Sequence, residues 1–324
     1  MTRTVSPLVS IIIPLYNHAR YIERCLDSIA DDAYPGSEII MIDDGSRDDS
    51  PAVVERWREN RGAAFHGEFR FIRRENRGVT RTLNELVSCA SGEFVAVLAS
   101  DDYLLPGGIA ARVEYLRAHP EKMAVFADCT VVDERDGCLH ASGLADIYGA
   151  QKEYLANDEL LPYELIINWC VPGPVFMARR ELYDLVGGYD ETLAIEDWDF
   201  YLRLLARNLL GFVDFPVAAY RLHGGSSLKD RERSVILQQN LIRTITKNLD
   251  AFTGLKRFLL LGLRTRMIGT LAGDMRENLV MGSLYRKAGR RMLKLGKLCF
   301  RIRVLWPARR RQQAGNSQRR GGLS

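Results

Sequence analysis

The stretch SEIIMIDDGS, residues 37–46, decides the fold. An apolar run, Ile39-Ile40-Met41-Ile42, stops abruptly on two carboxylates, a glycine and a serine. A run this short, bounded by turn residues, suits a strand covered on both faces, as the strands of parallel sheets are. The same design recurs on either side. VSIIIPLYN (9–17) is a β-branched run reaching Pro14, and FVAVLASDD (94–102) is another that closes on Ser100-Asp101-Asp102. A shorter one covers 69–72. Between them Tyr21, Ile22, Cys25, Leu26 and Ile29 recur at helical spacing, and 79–90 reads as a second helix. Pro106 stands at a natural first position of a helix that runs to about residue 118, ahead of a fifth strand at 123–126. The alternation predicts an α/β fold with a mostly parallel central sheet flanked by helices. Ligands of such sheets bind beyond the carboxyl ends of the strands, where both acidic clusters fall.

Further along, residues 135–170 lack a clear period and are expected to form loops and short helices over the site. A strand is expected at 175–178, with helices at 180–186 and 196–208, the latter marked by Phe200, Leu204 and Leu205. From about residue 228 the pattern is helical, and the Arg/Gln/Gly-rich end is expected to be disordered. The division is an α/β domain at 1–227, with halves at 1–130 and 131–227. A helical extension at 228–307 and a basic tail at 308–324 complete it.

Charge is unevenly spread. From Tyr285 onward there are thirteen Lys or Arg and no Asp or Glu, which leaves 32 basic against 41 acidic side chains in residues 1–284. That excludes a uniform nucleic-acid-binding character and points to a local anionic partner for the end of the chain. The six cysteines show no CxxC or His–Cys spacing, as expected of buried thiols in a reducing compartment. The apolar run at the start is too short for a signal peptide or a spanning helix, so a cytoplasmic location is expected.

Four constellations can carry chemistry, and each has a plainer reading. Asp101 and Asp102 repel one another unless a cation or donors compensate them, and hard oxygens suit Mg²⁺ or Mn²⁺ bridging to a diphosphate. Aspartates also serve as caps and turns before a helix. Asp43-Asp44-Gly45-Ser46 can accept from a nucleobase or ribose, or simply cap the helix that follows. Glu196-Asp197-Trp198-Asp199 either complements a helix dipole or supplies the general base that deprotonates a hydroxyl acceptor. His223, after Tyr220-Arg221-Leu222, is either a structural histidine or a metal or phosphate contact on a closing loop.

Taken together these stretches resemble the family 2 glycosyltransferases, which are inverting enzymes of the GT-A fold. The segments carrying the likeness are VSIIIPLYNHARYIERCLDSI, SEIIMIDDGSRDDS, NRGVTRTLNELVSCASGEFVAVLASDD, GPVFMARRELYDLVGGYDE and EDWDFYLRL, in the family's order across roughly residues 9–225. The resemblance implies a nucleotide pocket of Pro14, Tyr16, Asp44 and Asn76. It gives Asp101 to the ribose or the metal shell, Asp102 to the cation (Mn²⁺ or Mg²⁺), and Asp197 to the catalytic base beside Glu196. His223 is a further candidate metal ligand. Ser-Asp-Asp lacks the leading Asp of many members, which leaves the division of labour between Asp101 and Asp102 open.

The implied donor is a nucleotide-diphosphate sugar, with UDP favoured, and the implied acceptor is a saccharide or a lipid-linked molecule of cell-surface polysaccharide or glycolipid assembly. From Leu284 a basic amphipathic helix can lie on an anionic membrane or pack on the protein. A sugar nucleotidyltransferase would carry a Gly-rich basic loop where Pro14-Leu15-Tyr16-Asn17-His18 stands, and no G-x-G-x-x-G supports a dinucleotide enzyme. A non-catalytic scaffold of the same fold is the remaining alternative.

Overall fold

The apolar runs become the central strands because they can be covered on both faces. The structure, a computed structural model, describes residues 8–32, 34–62, 65–193, 195–224, 231–274 and 279–300. In chain order these form β1 (Val9–Leu15), α1 (Ile22–Asp32), β2 (Ser37–Asp44), α2 (Ser50–Arg61), β3 (Phe69–Arg74), α3 (Val79–Cys89) and β4 (Phe94–Val97). Next come β5 (Tyr103–Leu104), α4 (Gly108–Ala118), β6 (Ala124–Val132), β7 (Cys138–His140), α5 (Lys152–Leu155) and α6 (Leu161–Ile167). Then follow β8 (Met177–Arg179), α7 (Leu182–Val186), α8 (Glu196–Ala206) and β9 (Leu210–Arg221). The helices α9 (Arg231–Asn248), α10 (Gly254–Asp274) and α11 (Leu279–Phe300) close the described chain. The expected disordered tail at 308–324 lies outside the described residues.

The described chain falls into two compact units, one within Met1–Thr192 and Glu196–Ser227, the other within Leu193–Ile195 and Leu228–Ser324. The first is built on a nine-stranded sheet ordered β3-β2-β1-β4-β8-β6-β9-β5, with β7 beside β6. Strands β3, β2, β1 and β4 are mutually parallel, β8 runs against both β4 and β6, and β9 is parallel to β6. The carboxyl ends of β1, β2, β4, β6 and β9 therefore share one rim. Every residue of β2 is buried, whereas the edge strand β3 is only half-buried and carries Arg70, Arg73 and Arg74. Charged side chains on an edge discourage pairing with another chain.

The helices pack by the faces their sequences provide. In α1, Ile22, Cys25, Leu26 and Ile29 are buried against the sheet. Helix α2 starts with Pro51 in its first turn, and its buried Trp57 donates from Nε1 to Asp27 on α1 at 2.9 Å. The sequence pattern set no bounds for this helix, only a possible cap at Asp43–Ser46, and did not place β5. β5 is only two residues long, and the pattern of α2 is mostly polar around Val53, Val54 and Trp57. β6 continues six residues beyond its expected end, because its carboxyl half pairs with β9 through Arg221.

In the second unit α10 and α11 pack face to face through glycines seven residues apart. A Cβ on Gly269 would stand 2.4 Å from the backbone N of Arg286, and one on Gly289 would stand 2.4 Å from that of Arg266. Gly262 and Gly296 instead face side chains, those of Met292 and Leu259. Glycine costs about 1 kcal/mol relative to alanine inside a helix, and here that cost is offset by a backbone approach that any side chain would prevent. Among the described residues no helix is long and apolar enough to cross a membrane.

Candidate active site

Beyond the ends of β1, β2 and β3 lies an open cleft of about 730 Å³, lined by Tyr16, Asp43, Gly45, Arg47, Arg73 and Asn76 among others. Its floor depends on turn geometry. Gly45 takes a left-handed φ of +74°, and a Cβ there would stand 2.8 Å from the backbone N of Asn76. Asn17 is also left-handed, with φ 55°, and its Oδ1 accepts from the Arg47 N–H at 2.7 Å. Tyr16 is 42% exposed, which leaves its ring free to face a ligand in the cleft.

Asp44 does not face that space. Its Oδ1 accepts from the Arg77 N–H at 2.8 Å and from the Arg74 guanidinium, and its Oδ2 accepts from the Gly78 N–H at 2.9 Å. Arg74 also donates to Glu85 at 3.0 Å and Thr82 at 2.8 Å. The carboxylate expected to touch the nucleotide is thus spent on holding residues 74–78 in place, and Asn76 is presented to the cleft by that same loop. Pro14 lies within β1, level with Ile42 of β2.

Beside the cleft, residues 98–102 carry the chain across the rim from β4 to β5. β5 pairs antiparallel with β9, Tyr103 opposite Ala219, so Asp102 and Asp101 come to lie against Tyr220 and Arg221. Asp102 is only 2% exposed, and its Oδ1 accepts from the Arg221 N–H at 2.7 Å. Burial raises its pKa well above the carboxylate range, with the charge of Asp101 adding to the shift and Arg221 opposing it. Arg221 is itself buried. Its Nε donates to the Asp101 carbonyl at 2.8 Å, Nη1 to the Asp133 carbonyl at 2.8 Å and Nη2 to Asp136 at 2.6 Å. It is a fixed strut and not an arm free to close over a diphosphate.

The side chains that do converge are His18, Asp101 and His223. His223 Nε2 is 3.0 Å from Asp101 Oδ2, and His18 Nδ1 is 3.8 Å from Asp101 Oδ1. One donor atom from each lies within 4.8 Å of the others, a spacing that a divalent cation fits. Burial holds the His18 imidazole below its usual pKa against the pull of Asp101, which favours the neutral, metal-binding form. Of the residues expected at the metal, Asp101 and His223 belong to this cluster while Asp102 points inward. His18 was not anticipated, since a single histidine in a loop carries no spacing signal.

The second carboxylate group opens α8. The Glu196 side chain accepts a hydrogen bond from Thr80 on α3, and its pKa is pushed up to about 7 by burial and by the charge of Asp197. Burial also raises Asp197, whose Oδ1 accepts from the Trp198 N–H at 2.6 Å. Between the two groups stand Tyr148 and Tyr220, hydrogen-bonded to each other. The charge of Asp197 is felt by Tyr148, and those of Asp102 and Asp101 by Tyr220. No sequence signal marked Tyr148, and Tyr220 was named only as the start of the stretch that leads to His223.

The mostly parallel sheet thus carries at its carboxyl rim an open cleft, a His–Asp–His cluster and a pair of half-buried carboxylates. Two solved structures share the fold, which is GT-A. One is Staphylococcus aureus TarS 1-349 in complex with UDP-GlcNAc, with a TM-score of 0.62 and 17% identity, covering 91% of this chain and 92% of that one. The other is the mannosyltransferase PcManGT from Pyrobaculum calidifontis in complex with GDP-Man and Mn²⁺, with a TM-score of 0.60 and 20% identity, covering 94% and 88%. The chain belongs to glycosyl transferase family 2, whose model matches residues 10–186. Among its relatives, chondroitin synthase of Escherichia coli is 28% identical over 78% of this chain but only 34% of that protein, so the chain spans about a third of it. An uncharacterized glycosyltransferase of Rickettsia typhi is 25% identical over 75% of this chain and 74% of its own length.

The raised Glu196 carboxyl has a consequence for stability. Folded Glu196 keeps its proton up to about pH 7, whereas the unfolded side chain releases it near 4.5. The folded state holds the extra proton in between, so stability falls as pH rises from 4.5 to 7. Glu196→Gln should remove a loss of roughly 3 kcal/mol between those limits, read by chemical denaturation at pH 5 and pH 8. An unchanged pH dependence in the variant would show that Glu196 titrates as an ordinary carboxylate.

Proposed function

We propose that this family member is an inverting, metal-dependent enzyme. It moves a sugar from a nucleotide-diphosphate donor, a UDP-sugar by preference, to a hydroxyl of a saccharide or lipid-linked acceptor in polysaccharide or glycolipid assembly. The observation that carries the reading is the arrangement on one rim of the cleft, the Asp101–His223 pair and the Glu196–Asp197 pair, joined through Tyr148 and Tyr220. The UDP-GlcNAc and GDP-Man bound to the two structural neighbours, and the Mn²⁺ beside the latter, support a nucleotide-sugar donor and a cation.

In this reading Tyr16 and Asn76 border the nucleotide, and Asp101 and His223 hold the cation beside its diphosphate. A divalent ion there would neutralise the charge that develops on the leaving diphosphate. Asp197 accepts the proton of the acceptor hydroxyl as its oxygen attacks the anomeric carbon from the face opposite the diphosphate. A single displacement inverts that carbon. Burial raises the Asp197 carboxyl and so brings its basicity nearer to the working pH. Glu196 keeps α8 tied to α3 through Thr80.

The helix α11 fits a membrane surface. It carries Arg286, Lys287, Arg290, Arg291, Lys294 and Lys297 and no acidic residue. Leu284, Leu295 and Leu298 on the same helix are 51–53% exposed. Apolar side chains at helical spacing among cations suit an anionic lipid interface, where each cation contributes about 1 kcal/mol.

Asp197→Asn should lower sugar transfer by about 10²–10⁴-fold while nucleotide affinity stays the same. Loss of both would assign Asp197 a purely structural part, and NMR of the first-formed product reporting a retained anomer would overturn the single displacement. For the membrane, the protein should float with anionic vesicles and remain below with neutral ones. Replacing Leu284, Leu295 and Leu298 together by Glu should abolish flotation, and undiminished flotation would rule out α11 as the contact.

A further inference from the structure

His18 occupies the turn between β1 and α1, and its backbone is held unusually firmly. Three consecutive amides are tied to the loop that leads into α2. Asn17 N–H donates to Ser46 Oγ at 2.9 Å, His18 N–H to Ser50 Oγ at 2.9 Å and Ala19 N–H to Asp48 Oδ2 at 3.0 Å. Ser50 Oγ in turn donates to Asp48 Oδ1 at 2.5 Å. The ring is therefore aimed by a rigid turn. Its Nδ1 lies 2.8 Å from Ser100 Oγ and 3.8 Å from Asp101 Oδ1. The His18 and His223 rings cross at 90° with centroids 5.8 Å apart, and each presents a nitrogen to one oxygen of the same carboxylate.

An octahedral ion with bonds of ~2.1 Å separates its donors by ~3.0 Å when adjacent and ~4.2 Å when opposite. His223 Nε2 stands 3.0 Å from Asp101 Oδ2 and His18 Nδ1 3.8 Å from Oδ1, and one donor atom of each residue lies within 4.8 Å of the others. The three donors come from the chain just beyond three different strands, β1, β4 and β9.

Resting on the reading of this rim as a cation site, we propose that His18 is a third protein ligand and that the His18–Asp101–His223 set selects the metal. Mg²⁺ favours oxygen ligands and is held through one or two carboxylates plus substrate phosphates. Two imidazole nitrogens favour Mn²⁺ over Mg²⁺, and Co²⁺ over Mn²⁺, along the order of increasing nitrogen affinity. Three protein ligands also hold an ion before any nucleotide arrives, and leave the remaining positions for diphosphate oxygens and water.

The test is a metal titration of the full chain without nucleotide, following free Mn²⁺ by electron paramagnetic resonance and bound Co²⁺ by its visible absorption. Wild type should take up about one Mn²⁺, with Mg²⁺ competing at least about tenfold more weakly. His18→Ala and His18→Gln should each weaken Mn²⁺ by about tenfold or more, alter the Co²⁺ bands and leave the melting temperature unchanged. The glutamine keeps a polar group beside Ser100, so an equal loss in both variants identifies lost ligation and not lost packing. Mn²⁺ affinity and Co²⁺ bands unchanged by both substitutions would overturn the proposal, as would equal competition by Mg²⁺. Calorimetry with UDP on the same samples separates the two ideas. UDP binding with no contribution from His18 refutes the ligand and leaves the transfer reading standing. A His18-dependent metal site in a protein that binds no nucleoside diphosphate refutes the transfer reading alone.

Discussion

The rim of this sheet depends on one buried side chain, Arg221, and the hydrogen bonds that its residue makes. Arg221 closes β9 by donating its backbone N–H to the Asp102 carboxylate and its Nε to the Asp101 carbonyl, at 2.7 and 2.8 Å. Two carboxylates side by side at the edge of an apolar sheet would otherwise repel each other and resist burial. With Asp102 turned inward to satisfy Arg221, Asp101 is turned outward. His223, two residues beyond Arg221, is delivered to its Oδ2. The remaining guanidinium nitrogens fix the 133–136 turn that follows β6, so three strand ends are held in register by one side chain.

That constraint explains what the sequence disclosed and what it withheld. The apolar runs ending in Asp43-Asp44 and Asp101-Asp102 announced parallel strands with acidic carboxyl ends, and the structure has them there. Which member of each pair is held inward was not legible, because it is set by partners far along the chain. Asp44 is claimed by the amides of Arg77 and Gly78, and Asp102 by that of Arg221. Each pairing depends on strand register, and β5, which sets the second, is too short to leave a periodic pattern. His18 was silent for the same reason. A histidine beside Asn17 in a loop means nothing until Asp101 and His223 are brought to it from other strands.

The same logic distinguishes the two acidic groups by environment. Asp101 remains at the surface beside two imidazoles, suited to a cation and a diphosphate. Glu196 and Asp197 are driven by burial towards the neutral form, suited to exchanging a proton. Tyr148 and Tyr220 link the two environments.

A nucleoside diphosphate beside a cation is the ligand we propose for the cleft at the ends of β1, β2 and β3. Isothermal titration of the purified chain with UDP, GDP, CDP and dTDP, each with and without Mn²⁺, tests it most directly. Saturable binding of one of them, UDP first, tightened by Mn²⁺, is the expected result. Absence of heat with all four, while circular dichroism shows the fold intact, would contradict it.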